Sequence, residues 1–181
     1  IPNSVTSLAQ SAFIDCTSLT NVSILGNVTN IGNYAFHNCK LLKNVSTLNN
    51  VTNIGDNAFN GFTDGLTNVT IPESVTAIGS NAFLGCKKLY EISDGIQYVG
   101  NWAIGCDGVT NAVFRDGTVG IASFVFSHDG TIKSAFIPAS VKYIGSCVFY
   151  NCRNLANIVV DKDNQNYKNI DGNHLYTKDG K

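Results

Sequence analysis

Apolar residues recur along this chain at fixed offsets, and the polar residues between them vary. The stretch 75–89, VTAIGSNAFLGCKKL, has counterparts in 28–42, VTNIGNYAFHNCKLL, and 141–155, VKYIGSCVFYNCRNL, and a looser one in 5–19, VTSLAQSAFIDCTSL. Marking each copy by its first apolar residue gives Val5, Val28, Val51, Val75, Ile96, Thr118 and Val141, a spacing of 21 to 24 residues and about seven copies. A period in the low twenties predicts a solenoid, in which each coil buries its apolar face against its neighbours.

Within a copy the elements follow from the same pattern. Leu66, Val69 and Ile71 are spaced L-x-x-V-x-I, as are Leu19, Val22 and Ile24, and the last two of each set alternate as a strand does. Pro72 and Pro138 stop that strand, because proline has no N–H to give to a ladder. A short V-x-x-I segment follows, then Gly32, Gly55, Gly79, Gly100 or Gly145, where glycine suggests a tight bend or a positive φ. The next residues, such as 80–86, are too few for a stable helix and predict one α or 3₁₀ turn. A small residue beside an aromatic one, as at Ala35/Phe36 and Ala82/Phe83, predicts rings lying over one another from coil to coil; the fifth copy has Ala103/Ile104 there. Each coil returns in the same direction, so the strands are expected to be parallel.

Departures fall where loops are expected. The third copy has Phe62 in place of Cys and inserts Thr63, Asp64 and Gly65; the fourth is cut short at Ser93, Asp94 and Gly95. After Val160 the pattern ends, and residues 165–181 read as a hairpin around an Asp171-Gly172 turn, against a solenoid over 1–164. Ile1 to Ser4 occupy the place that Ile71 to Ser74 occupy before Val75, so the chain is expected to start inside a repeat and to be a piece of a longer array.

The pattern I-P-x-S-V-x-x-I-G-x-x-A-F-x-x-C-x-x-L resembles the BspA-type class of leucine-rich repeats over residues 1–160, and N-x-x-Y-x-x-I-D-G with L-Y-x-K-D-G-K (164–181) is similar to a segment common in those proteins. The resemblance implies a right-handed, β-rich leucine-rich repeat solenoid of the α/β class, with parallel strands and short helical turns. It implies an extracellular or cell-surface protein of bacteria, or of some protists, engaged in adhesion or in binding host proteins. It implies no catalytic residues and no cofactor.

Composition narrows the partners. The net charge is −1 with 14% charged residues and no cluster of Lys or Arg, which argues against nucleic acid and against an anionic membrane surface. No apolar run approaches the roughly 20 residues of a membrane helix. The partner expected is a protein or a glycan, and the piece is expected to be a monomer.

Reactive residues have plain explanations. Cys16, Cys39, Cys86 and Cys152 share one repeat position, three residues after the Phe. Stacked copies sit about 4.8 Å apart, longer than the roughly 3.5–4.5 Å between the Cβ atoms of a disulfide, so buried free thiols are expected. Cys147 with Cys152, or Cys86 with Cys106, break the register and stay open as pairs. No Cys-x-x-Cys or His-x-x-x-His suggests zinc. The only enzyme reading is a nucleophile pair of Cys106 or Cys147 with His37, His128 or His174. Sequons at Asn21, Asn27, Asn44, Asn50 and Asn68 are explained better by the strand repeat, which periodically places Asn before Val and then Ser or Thr, than by glycosylation, which needs a eukaryotic secretory route.

The outward residue of the main strand runs Ser23, Ser46, Thr70, Ser93, Val113, Phe136, Val159 and turns from hydroxyl to apolar along the chain. Val113, Phe136 and Val159, with Arg115 one strand step beyond Val113, form the candidate binding strip; the alternative is that the C-terminal hairpin covers it. The function this supports is non-enzymatic recognition, the competing reading a structural spacer that projects another domain.

Overall fold

The structure, a computed structural model, describes all residues except 25, 47, 62–64, 170–174 and 179–181. It is a parallel-strand solenoid that divides into two compact units, Ile1–Glu91 and Ile92–Lys181.

In the first unit the V-x-x-I segments form the longer ladder. Strands β1 (Ser7–Leu8), β3 (Asn30–Ile31), β5 (Asn53–Ile54) and β6 (Ala77–Ile78) pair in parallel, with Leu8, Ile31, Ile54 and Ile78 in register. The strand expected to dominate is shorter laterally: β2 (Asn21–Ser23) pairs with β4 (Asn44–Ser46), and Asn68 adds a single bridge to Asn44. Phe13, Phe36, Phe59 and Phe83 stack as predicted, with centroids 5.2 to 5.3 Å apart and planes within 8°.

The turn after each V-x-x-I strand is not helical. No α- or 3₁₀-helix occurs among the described residues, and the hydrogen bonds show why. Tyr34, Phe36 and Asn38 donate their N–H groups forward to Asp56, Ala58 and Asn60 of the next coil, while Ala35, His37 and Cys39 close local turns onto Gly32, Tyr34 and Phe36. An α-helix points every N–H the same way, so this alternation excludes one. It is made by left-handed residues four apart, Tyr34 with Asn38 and, in other coils, Ser11 with Asp15 and Asn81 with Gly85.

The glycine before this turn has a different role from the one expected of it. Among the repeat glycines only Gly100 has positive φ. At Gly79 the backbone N–H donates to Ile54 O at 2.8 Å, and a Cβ would lie 2.5 Å from the backbone N of Asp56, so glycine is set by close approach of the preceding coil.

The second unit departs from strict parallel pairing. Following β7 (Glu91–Ser93), which spans the boundary, β8 (Ile96–Val99) and β9 (Trp102–Cys106) form an antiparallel hairpin with Val99 opposite Trp102. Its two-residue loop has positive φ at Gly100 (55°) and none at Asn101, as in a type II′ turn. β9 then pairs in parallel with β11 (Gly120–Ile121), and β11 with β13 (Tyr143–Ile144). Ala103 is thus in register with Ile121 and Ile144, the position that Ile78 holds in its own coil and four residues earlier in the repeat than the sequence alignment of Ala103 with Ala82 implied. Removing Ile96 from the markers leaves six repeating coils rather than seven.

Gly120 sits between Trp102 and Tyr143 in this sheet, and the two rings lean over it to stack at 6.0 Å and 2°. A Cβ on Gly120 would meet the Trp102 ring at 2.5 Å. Thr118, fully buried where other coils have Val, keeps the valine shape and donates its hydroxyl to Arg115 O at 2.6 Å.

The other ladder of this unit consists of β10 (Asn111–Val113), β12 (Ser134–Ile137) and β14 (Asn157–Val160); β12 ends at Ile137, before Pro138. In the tail, β15 (Tyr167–Asn169) pairs antiparallel with β16 (Leu175–Thr177); the Asp171-Gly172 turn expected between them lies outside the described residues, as does the Phe62 to Asp64 departure. Asn164, wholly buried, fastens the tail: its amide donates to Pro138 O and Val141 O, and its Oδ1 accepts from the N–H groups of Asn166 and Tyr167. The Tyr167 hydroxyl accepts from Ile144 N at 2.9 Å, and Tyr167 and Leu175 pack on the core beneath.

Two outcomes are expected. Phe83→Ala removes a buried ring from the column and costs about 3–5 kcal/mol in urea denaturation; a loss under about 1 kcal/mol would show that the stack is not packed. Gly120→Ala forces Trp102 away from Tyr143, so the emission of this single tryptophan moves to longer wavelength as the melting temperature falls.

Candidate functional site

The outward face of the ladder β10-β12-β14 is set by strict alternation. Ala112, Ala135 and Ile158 are buried, so their neighbours Val113, Phe136 and Val159 point away from the core. The pairing register puts Val113 opposite Phe136 and Phe136 opposite Val159. Val113 is 52% and Val159 44% exposed, with Phe136 half-buried between them. The described residues of the tail dock at strand edges, Asn169 donating to Ile158 O at 2.7 Å at the edge of β14 and Tyr167 capping the edge of β13, and leave Val113 and Val159 exposed.

Arg115 is placed differently from expectation. It lies beyond the end of β10, its N–H donates to the Tyr98 hydroxyl at 3.1 Å, and its guanidinium sits 4.2 Å from the Tyr98 ring centroid while donating to Gly100 O at 2.5 Å. The cation clamps the β8–β9 hairpin, a cation–π contact on a buried ring. Positive charge near the strip comes instead from the other end, where a shallow cleft of about 310 Å³ is lined by Val159, Lys162, Tyr167, Lys168 and Lys178. Sequence reasoning missed these lysines because only the folded tail brings 168 and 178 beside β14.

On the first unit the corresponding face is hydrogen-bonded to itself. Asn44 donates to Asn21 Oδ1 at 2.9 Å, and Ser23 and Ser46 share a bond of 3.2 Å. Four of the five sequons are thereby accounted for: Asn21 and Asn44 lie in this ladder, and Asn27 and Asn50 donate to the carbonyls of Asn3 and Gly26.

All six cysteines are free, including Cys147 and Cys152 and the Cys86 and Cys106 considered as pairs. The shared repeat position makes one recurrent contact: Cys39, Cys86 and Cys152 donate Sγ–H to the carbonyls of Phe13, Phe59 and Phe126, at 3.1, 3.1 and 2.8 Å. Burial pushes the thiols up, Cys39 to about 11 and Cys86 to about 12. Cys106, bonded to Val125 O and near the Asp129 carboxylate, is likewise raised by burial and then by that charge, to about 12. These are the opposite of activated nucleophiles. His128 Nδ1 bonds Ser127 Oγ at 2.9 Å, His37 packs edge-on against Tyr34, and His174 lies outside the described residues. Among the described residues no His/Cys/Asp/Glu group could hold a metal ion, and no helix is long and apolar enough to cross a membrane.

The family model for a BspA type leucine rich repeat region, in six copies, matches residues 1–90 and 88–177. The chain belongs to that family. Among solved structures, this BspA-type chain is similar to a leucine rich cell surface protein of Faecalibacterium prausnitzii A2-165, at 29% identity over 85% of this chain and 45% of that one, with a TM-score of 0.48. It is also similar to a leucine-rich repeat protein of Eubacterium ventriosum, at 26% identity over 91% of this chain and 37% of that one, with a TM-score of 0.42. The chain therefore spans less than half the length of either structure. No curated protein matches it.

The raised thiols fix a pH dependence. Below the ordinary value of 9.0, Cys39, Cys86 and Cys106 are protonated in folded and unfolded chains alike; between 9 and about 11–12 only the unfolded chain ionises. The unfolded state then holds fewer protons, so stability falls as pH rises through that window. A triple Cys→Ala variant should lose part of this slope in denaturation midpoints measured from pH 8 to 10.5, and an unchanged slope would mean that these thiols titrate normally.

Proposed function

We propose that this BspA-type solenoid is a non-enzymatic recognition module, displayed at the surface of a bacterial cell, and that it binds a protein of a host or neighbouring cell through Val113, Phe136 and Val159. The observation that carries the reading is the in-register, solvent-facing apolar strip on a face that elsewhere carries hydroxyls and carboxamides. Aromatic anchors flanked by smaller apolar groups are over-represented among interface hot spots. Lys168 and Lys178 at the Val159 end, where Lys162 is paired with Asp163 at 2.7 Å, favour a partner segment that follows its apolar side chains with carboxylates.

The test uses Val113→Asp with Val159→Asp, both at exposed positions that leave the core intact, and Phe136→Ser separately. Arg115 is left unchanged because it holds the hairpin. The wild-type chain should bind saturably to at least one of a panel of purified extracellular-matrix proteins, more weakly at 0.5 M than at 0.1 M salt. The Asp pair should reduce affinity at least tenfold at an unchanged melting temperature. Absence of saturable binding across the panel would favour the spacer reading, in which whole coils can be deleted and replaced without loss of the parent protein's function.

A further inference from the structure

A second surface lies on the turns, away from the strip. Two residues before each ring of the Phe column the backbone is left-handed, at Ser11, Tyr34, Asn57, Asn81, Phe124 and Cys147. Asn adopts this conformation readily, whereas a bulky side chain there is an outlier that packing or function has to justify. Phe124, at φ 64°, is 42% exposed, so core packing does not justify it. One coil on, Tyr150 is 57% exposed and its ring meets the His128 imidazole edge-on at 5.3 Å and 73°. Backbone bonds tie these residues together: Ser127 N donates to Phe124 O, and His128 N donates to Tyr150 O. Ser127 Oγ occupies His128 Nδ1, which leaves Nε2 for a ligand.

We propose that Phe124, Tyr150 and His128 form a binding subsite for an uncharged sugar residue of a glycan. A pyranose has a face of polarised C–H bonds that suits the electron-rich face of an aromatic ring, and a rim of hydroxyls that needs hydrogen-bond partners. Here Phe124 and Tyr150 supply the first, and the His128 imidazole, its Nδ1 held by the Ser127 hydroxyl, supplies the second. The alternation of ring and polar group suits a sugar better than an apolar protein surface. Neighbouring charges are turned elsewhere: Asp129 accepts from the N–H groups of Thr131 and Ile132, and Arg153 donates to Asn151 Oδ1 at 3.1 Å. A different ring–imidazole pair, within one turn, occurs in the first unit, where left-handed Tyr34 meets His37 edge-on at 5.6 Å and 75°, and His37 Nδ1 is buried with no hydrogen-bond partner.

The intact chain is run through native gels containing mannan, galactan or a β-glucan, with polygalacturonate as an acidic comparison. At least one neutral polysaccharide should retard it, and Phe124→Asn combined with Tyr150→Ser should abolish the retardation. Phe124→Asn installs the residue that Asn57 and Asn81 place at the equivalent position, so its melting temperature should hold or rise. The Val113→Asp, Val159→Asp pair should be retarded like the wild type, which separates this site from the strip. The proposal is overturned if no neutral polysaccharide retards the chain, if only the acidic one does, if the double variant is still retarded, or if Phe124→Asn lowers the melting temperature.

Discussion

Everything in this fold depends on backbone hydrogen bonds between coils, and on their direction. N–H groups of the strand ladders donate to both neighbours, Gly79 N back to Ile54 O and Ile24 N forward to Ser46 O, and alternate turn N–H groups point forward, as Phe59 N does to Ala82 O. A coil held from both sides has to return after nearly the same number of residues, so the period varies by so little. Forward donors in the turns require left-handed residues at the two ends of each turn, and backward donors bring backbones too close for a Cβ at Gly79. The stacked rings follow from the same coil-to-coil repeat, their centroids 5.2 to 5.5 Å apart.

Side chains that look chemically promising mostly extend this ladder. The thiols of Cys39 and Cys152 add a second donor to the Phe13 and Phe126 carbonyls, which already accept a turn N–H, and the thiol of Cys86 donates to Phe59 O. Thr29, Thr52 and Thr76 each donate a hydroxyl to a carbonyl one coil back. A thiol in such a contact is desolvated and held protonated, which accounts for both its recurrence and its inertness. Recurrence at one repeat position is therefore a signal of packing, and chemistry is better sought where a column changes character.

The columns themselves were legible in the sequence, because V-x-x-I and the Ala/Phe pair are local patterns repeated at a fixed offset. The geometry of the turn was not, since left-handed Tyr34 or Phe124 follows from a bond to a residue more than twenty positions away. The β8–β9 hairpin was legible in principle: Gly100-Asn101 between apolar runs is a two-residue hairpin signal. It was masked because Ile96 falls within a residue or two of the repeat period. Of the candidate site, Val113, Phe136 and Val159 could be aligned from their offsets alone. The fate of Arg115 could not, because Tyr98 reaches it only once the hairpin exists, and the exposure of the strip depended on where the tail docks.

A solenoid offers few places to evolve recognition without disturbing its ladder, and the two proposed surfaces lie at such places. On the strand face, a residue is released from structural duty only where it no longer bonds its neighbour across coils. Asn21 and Asn44, or Ser23 and Ser46, spend their polar groups on each other, whereas Val113, Phe136 and Val159 have none to spend and leave apolar area facing water. On the turn face the backbone fixes a left-handed residue but leaves its side chain pointing outward, so a costly choice such as Phe124 persists only if its ring does something that Asn would not. The same economy explains why both surfaces lie in the second unit beside an irregular hairpin and a capped end. Where pairing is secured by Arg115 on Tyr98 and by buried Asn164, the outer columns are freed from holding coils together and can carry residues selected for what they touch outside.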